Sequence, residues 1–250
     1  MVAKARDRAE RFGLDDWLLW LRGEGAYPHY YSGAWDESLE ILDELIEEFL
    51  EHPFWMETPC RALRGQIRLG RGDDALARAD ADRALELSQA GKDPQVVFPT
   101  LSVAARTVAS SDIEGARRLV TQILAEWEAG NWPSASEMSW LPDAAIVMVQ
   151  AGAEAELLET LSRAHAHPSK WRRAAVAYAS GDPAGAAEIY ADIGTRPDEA
   201  YARLRAAELY LGDGRRTEAD VELQKALAFW RAAGATAFVR EGEALLAEAS

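Results

Sequence analysis

Four arginines at helical spacing, Arg61, Arg64, Arg68 and Arg71, form a basic stripe in a chain that carries 42 acidic residues against 27 Lys and Arg. Spacings of three and four residues put their side chains on one face of a helix. A guanidinium presents a bidentate fork, so this face is suited to clamp the carboxylates of a partner. The competing reading pairs the stripe with the acidic helix beside it, Asp36 to Glu51, since stacked neighbours contact each other. A second set is aromatic: Trp17, Trp20, Tyr27, Tyr30 and Tyr31 lie ahead of the stripe, with Trp55, Trp140 and Trp171 further on. Trp and Tyr anchor peptides at binding hot spots. They also bury large areas in ordinary cores, and both readings stand. The candidate binding residues are therefore Tyr27, Tyr30, Arg61, Arg64, Arg68, Trp140 and Trp171.

Catalytic constellations are missing from the sequence. His165 and His167 flank Ala166, a spacing that turns them to different sides of a helix, and no His-Glu-x-x-His motif accompanies them. Asp15-Asp16 and Asp73-Asp74 precede apolar periodic segments, where acids favour the positive end of a helix dipole. Cys60 is the one cysteine, which excludes an internal disulfide and a multi-thiolate metal site, and nothing around it marks a nucleophile. Gly70-Arg71-Gly72 and Gly212-Asp213-Gly214 read as turns, and no Gly-x-x-x-x-Gly-Lys-Ser/Thr phosphate loop is present. No enzyme activity, metal or cofactor is expected.

The formal charge of -15 opposes binding to nucleic acid, whose phosphates must be met by clustered Lys and Arg. No run approaches the roughly 18 apolar residues of a membrane span. The first ten residues alternate charges with alanines and lack the apolar stretch of a secretory signal. A cytoplasmic location follows as the expectation, in keeping with the single cysteine.

What must position these residues is a set of helices. Glycine and proline fall between segments rich in Ala, Leu, Glu and Arg, all strong helix formers, and no segment reads as a strand. The clearest helix runs from Trp35 to Leu50, with Leu39, Leu42, Leu45, Ile46 and Phe49 as its apolar stripe. Tight turns are expected at Gly33, Gly72, Ser111, Gly152, Gly181 and Gly214, at separations that bracket a period of about 34 residues. About six helix pairs follow, in a single domain over 1–250. A bend is expected at 130–136, where Ser134 or Ser136 would cap the next helix. Residues 2–12 read as a second helix without its first, so the chain is expected to be the end piece of something longer. Thr236 to Ala249 reads as a closing helix that packs Phe238, Val239, Ala244, Leu245 and Leu246 on the last pair.

That last pair, with Ala207, Tyr210, Gly214, Ala219, Leu223 and Ala226, resembles a tetratricopeptide repeat (TPR). The family places a small residue and an aromatic in the first helix, Gly at the turn, and small, large and small residues in the second. Similar sets recur at Ala26, Gly33, Trp35 and Leu42; at Gly65, Gly72, Ala77 and Ala84; and at Ala174, Gly181, Ala186 and Tyr190. The tail from Ala226 to Ser250, the stretch Cys60 to Asp73 and the segment Lys92 to Pro99 resemble the C-terminal region of large bacterial signalling ATPases. In those, a nucleotide cyclase or DNA-binding domain precedes a nucleotide-binding domain and a TPR region.

The resemblance implies an all-α superhelix of TPR-like pairs with a C-terminal capping helix. It also implies that first helices line a concave groove, so that some of the aromatics border it. The expected function is a non-catalytic scaffold that binds a protein or peptide in that groove. The alternative is a ligand-sensing or self-associating regulatory arm, for which a homodimer would be the signature.

Overall fold

The computed structural model describes residues 11–91, 93–130, 134–163 and 168–249. Among them are thirteen α-helices and no strand: α1 (Asp15–Ser32), α2 (Trp35–Glu51), α3 (Glu57–Arg71), α4 (Asp74–Gly91), α5 (Pro94–Val108), α6 (Ile113–Gly130), α7 (Leu141–Gln150), α8 (Glu154–Ser162), α9 (Lys170–Ala179), α10 (Pro183–Ile193), α11 (Arg196–Gly212), α12 (Arg216–Ala233) and α13 (Thr236–Ala249). Each odd-numbered helix packs on the even-numbered helix that follows it, so α1 to α12 make six pairs and α13 stands last. The six expected turn residues all fall between the two helices of a pair.

Why the pairs close tightly is visible in the last one. Ala207 on α11 and Ala219, Leu223 and Ala226 on α12 have no exposed surface, so small residues face each other while leucine fills the gap between them. Tyr210 lies under the Arg215 guanidinium, 4.1 Å from its centre. In α2 the expected stripe is the buried face: Leu42, Leu45, Ile46 and Phe49 are in the core and Leu39 packs against it. The helix repeat thus produces an all-α, TPR-like superhelix, as its pattern of small residues implies.

Successive odd-numbered helices also touch one another, α1 with α3, α3 with α5, α5 with α7, α7 with α9 and α11 with α13, which puts them on the inner side of the curve. The curve then closes on itself. Helix α11 packs on α1, and α13 packs on α3. Arg196 Nη1 donates to the Ser32 carbonyl at 2.9 Å, and the Thr236 hydroxyl donates to the Arg71 carbonyl at 2.5 Å. Trp35 on α2 meets Trp230 on α12 edge-on, ring centres 5.9 Å apart. At the seam, a Cβ on Gly70 would stand 2.7 Å from the Trp35 ring and 3.2 Å from Phe238, so only glycine lets α2, α3 and α13 meet there. The closing helix therefore covers more than the last pair: it ties the end of the chain to the second pair as well.

One expectation is corrected. The N-cap position of the next helix is Trp140 and not Ser134 or Ser136. Residues Ser134–Ser139 form a 3₁₀ turn, and α7 begins at Leu141 after Trp140. Glu137 holds that turn, because it is fully buried in an ion pair with Arg172, itself laid over the Trp127 ring at 5.2 Å. The acidic pairs do sit at helix starts: Asp15 and Asp16 open α1, and Asp74 opens α4. Of the helix expected over 2–12, Arg11 and Phe12 are helical and residues 2–10 lie outside the described residues. No helix among the described residues is long and apolar enough to cross a membrane.

Candidate binding site inside the ring

The inner face of α1 begins the site. Gly23 and Ala26 are its two buried residues: Gly23 lies against Met56 and Cys60, and the Ala26 carbonyl accepts a hydrogen bond from the Ser38 hydroxyl at 3.1 Å. With that small face docked on the neighbouring helices, Glu24, Tyr27, Tyr30 and Tyr31 are turned into the ring. Leu63 and Gln66 of α3 come from the next inner helix, and Gln95, Pro99 and Val103, four residues apart, come from α5. Asp143 near the start of α7 and Asp198 near the start of α11 close the circle. Together they enclose a cavity of about 560 Å³, within the ordinary range of small-ligand sites.

Its electrostatics are one-sided. Glu24, Asp143 and Asp198 border the cavity, and no Lys, Arg or His among the described residues does. Asp143 is partly compensated: Gln66 Nε2 donates to it at 2.7 Å, and Arg106 Nε lies 3.3 Å away. Arg106 is itself held over the Tyr201 ring at 4.7 Å. Asp198 accepts from the Thr195 hydroxyl. Burial pushes the Asp198 carboxyl up to about 7, and the neighbouring Asp143 adds to the shift. Burial raises Asp143 and Glu24 as well.

The tyrosines answer this field. Burial, reinforced by nearby carboxylates, raises Tyr27, Tyr30 and Tyr31 above the ordinary phenol value, so all three stay protonated. Tyr30 stacks on Trp35 at 5.8 Å, and Tyr30 and Tyr31 meet edge-on at 5.3 Å. None of these hydroxyls bonds to another described residue, and all three tyrosines line the cavity. Two of the expected binding residues, Tyr27 and Tyr30, are therefore on the wall of the cavity.

The arginine stripe is elsewhere. Arg61, Arg64 and Arg68 converge on Asp80 of α4, which is 1% exposed. Arg64 forms a fork on it, Nε at 2.9 Å and Nη2 at 2.6 Å, while Arg68 Nη1 donates at 2.7 Å. Arg64 also reaches Asp43, and Arg71 reaches Asp36, each at 2.6 Å. The clamp expectation is corrected: these guanidinium groups are used inside the fold. The acidic helix supplies Asp36 and Asp43, but the hub is Asp80. Its sequence signal was its place among Ala77, Ala81 and Ala84, a lone acid on an otherwise small, buried face.

Trp140 is corrected as well, because it has no exposed surface and packs between Phe98 and Trp127, ring centres about 6 Å away. Trp171 is half-buried against Tyr190 at 6.0 Å and does not border the cavity. Asp143, Asp198 and Gln66 were missed. Both acids stand in a Pro-Asp pair in the first turn of an inner helix, Pro142-Asp143 and Pro197-Asp198, where an acid is ordinarily read as serving the helix start. Cys60 is buried and its thiol is pushed up to about 12 by that burial, so it is no nucleophile at neutral pH. His165 and His167 lie outside the described residues. Among the described residues no group of three or more His, Cys, Asp or Glu is arranged to hold a metal ion.

No protein-family model matches the chain, and no curated protein matches it at a significant level. Among solved structures, a kinesin-light-chain-type protein of nearly identical TPR-like repeats from Podosopora anserina is 16% identical, with 83% of this chain and 92% of that one covered and a TM-score of 0.44. A single-residue variant of the same protein gives 0.43 over the same shares. The fold class stands on the helix pairing itself.

Proposed function

We propose that this protein is a non-catalytic binding module whose receptor surface is the interior of the closed ring, where it takes a short peptide segment or a ligand of comparable width. The observation that carries the reading is the cavity of about 560 Å³, walled by inner-helix tyrosines whose hydroxyls are unengaged by the described residues. A structural core would have filled that volume, since protein interiors are close-packed. Partners other than nucleic acid accord with the charge of -15, and a cytoplasmic setting accords with the single cysteine.

The second reading is a ligand-sensing regulatory arm of a bacterial signal-transduction ATPase. One observation favours it: α11 on α1 and α13 on α3 join the two ends of the stack, so anything bound inside would bear on both ends at once.

Peptides selected from a displayed library against the full chain would be titrated by calorimetry into the protein and into Ala62→Phe. Ala62 borders the cavity and a phenyl ring there would occupy it. Affinity should fall in Ala62→Phe and persist in Val221→Glu, on the exposed outer surface of α12. The reverse pattern would place the receptor surface outside the ring and end this reading.

A further inference from the structure

The cavity has a charge it does not balance. Among the described residues three carboxylates face it, Glu24, Asp143 and Asp198, and the cation beneath them, Arg106, is engaged by Asp143 and the Tyr201 ring. Three tyrosine rings stand beside those carboxylates. An aromatic face attracts cations within about 6 Å of its centre, most strongly where water is excluded. The unengaged hydroxyls supply oxygen lone pairs to N–H donors.

We propose that the ring cavity is a receptor for organic cations, with an ammonium or guanidinium group ion-paired to Asp198 and Asp143 and seated against Tyr27, Tyr30 and Tyr31. This rests on the reading that the interior is the receptor surface and names the chemistry of what it receives. An anion would meet three like charges. A neutral polyol could hydrogen-bond to Gln66 and the hydroxyls but would leave Asp198 uncompensated. A bare metal ion would leave most of the volume empty, and the wall does not gather its carboxylates as ligands. Glu24, exposed at the mouth, would draw the cation in.

The cation can arrive on a free amine or on a basic side chain of a peptide, and one titration separates the two. The full chain at pH 8 would be titrated with agmatine, with putrescine and with acetyl-Gly-Lys-Gly-amide, alongside glucose and butyrate as neutral and anionic probes. The cations should bind, glucose and butyrate should not, and agmatine should lose roughly 30-fold or more in affinity to Asp198→Asn, the loss expected when an enclosed charge loses its partner. Glu24→Gln, at the open rim, should lose less. Circular dichroism would verify that both variants keep their helices. Binding of the tripeptide on a par with agmatine identifies a side chain as the source, and its failure identifies a free amine; either outcome supports the site. If no cation gives heat, or if folded Asp198→Asn and Glu24→Gln both bind cations as the wild type does, the proposal is wrong. Should an uncharged ligand bind instead and Ala62→Phe abolish it, the cation assignment falls while the receptor reading survives. If nothing that binds is sensitive to Ala62→Phe, both fall.

Discussion

Replacing Asp198 by Asn should change how stability depends on pH, by an amount that follows from the position of this carboxyl. Folded, it titrates at about 7 because it is enclosed, with Asp143 adding to the effect and Arg106 and the Thr195 hydroxyl opposing it. Unfolded, it should titrate near the ordinary value of about 3.9. The folded state therefore holds the proton more tightly. Below pH 4 the group is protonated in both states and has no effect; between pH 4 and 7 the folded state loses stability as the pH rises, and above 7 the loss is complete. Three units correspond to a ceiling of about 4 kcal/mol. One side of the carboxylate borders a cavity roomy enough for water, which lowers the expectation to about 2 kcal/mol. An Asn side-chain oxygen can still accept from Thr195, so the helix start is preserved. Urea unfolding at pH 5 and pH 8.5 gives the assay. Part of that effect falls between pH 4 and 5, below the interval, so the wild type should lose about 1 kcal/mol more across it than Asp198→Asn does, the other titrating groups cancelling in the difference. Equal losses would mean that Asp198 is solvated as an ordinary surface acid, and the account of the cavity as an enclosed, one-signed field would be refuted.

Asp80→Ala should cost roughly 3–5 kcal/mol in urea unfolding at pH 7, because it strands Arg61, Arg64 and Arg68 without their shared buried partner; a loss under about 1 kcal/mol, the scale of a surface pair, would show that the hub does not organise the fold. Gly70→Ala drives a methyl into Trp35 and Phe238 and should cost about 1–3 kcal/mol, concentrated at the seam. Small-angle scattering should then report a larger radius of gyration, and limited proteolysis should cut sooner between α12 and α13; an unchanged radius and cleavage pattern would count against closure through this contact.

The helix pairs were legible in the sequence because their causes are local. Apolar residues every three or four positions mark α2, and the turn glycines at 33, 72, 152, 181 and 214 take positive φ values that other residues rarely adopt. The seam was not legible. Trp35 with Trp230 and Thr236 with Arg71 join residues 195 and 165 positions apart, and nothing in either local pattern names the other end. The site was half legible for a related reason. Tyr27 and Tyr30 announce themselves by type, whereas Asp143 and Asp198 imitate helix-start acids, a duty they also perform. Arg61, Arg64 and Arg68 misled in the opposite sense: a basic stripe looks available until its carboxylate, 12 to 19 residues on, is seen to be buried with it.

Closure also decides what kind of recognition the inner face can offer. An open superhelix presents a groove in contact with water, where exposed charges are screened within about 10 Å and a single pair is worth little. Joining α11 to α1 and α13 to α3 surrounds the same residues with protein on most sides, so that each charge interacts in a lower effective dielectric. The raised positions of Asp198, Asp143 and the three tyrosines express that change. Shape alone would let many ligands into a space of this size. Specificity must then come from the sign of the field and from polar groups left without a partner, because these penalise any occupant that cannot satisfy them. The residues that close the ring are thus part of the recognition apparatus although none of them need touch the ligand. A variant that opens the seam should weaken charge-dependent binding even with every wall residue intact.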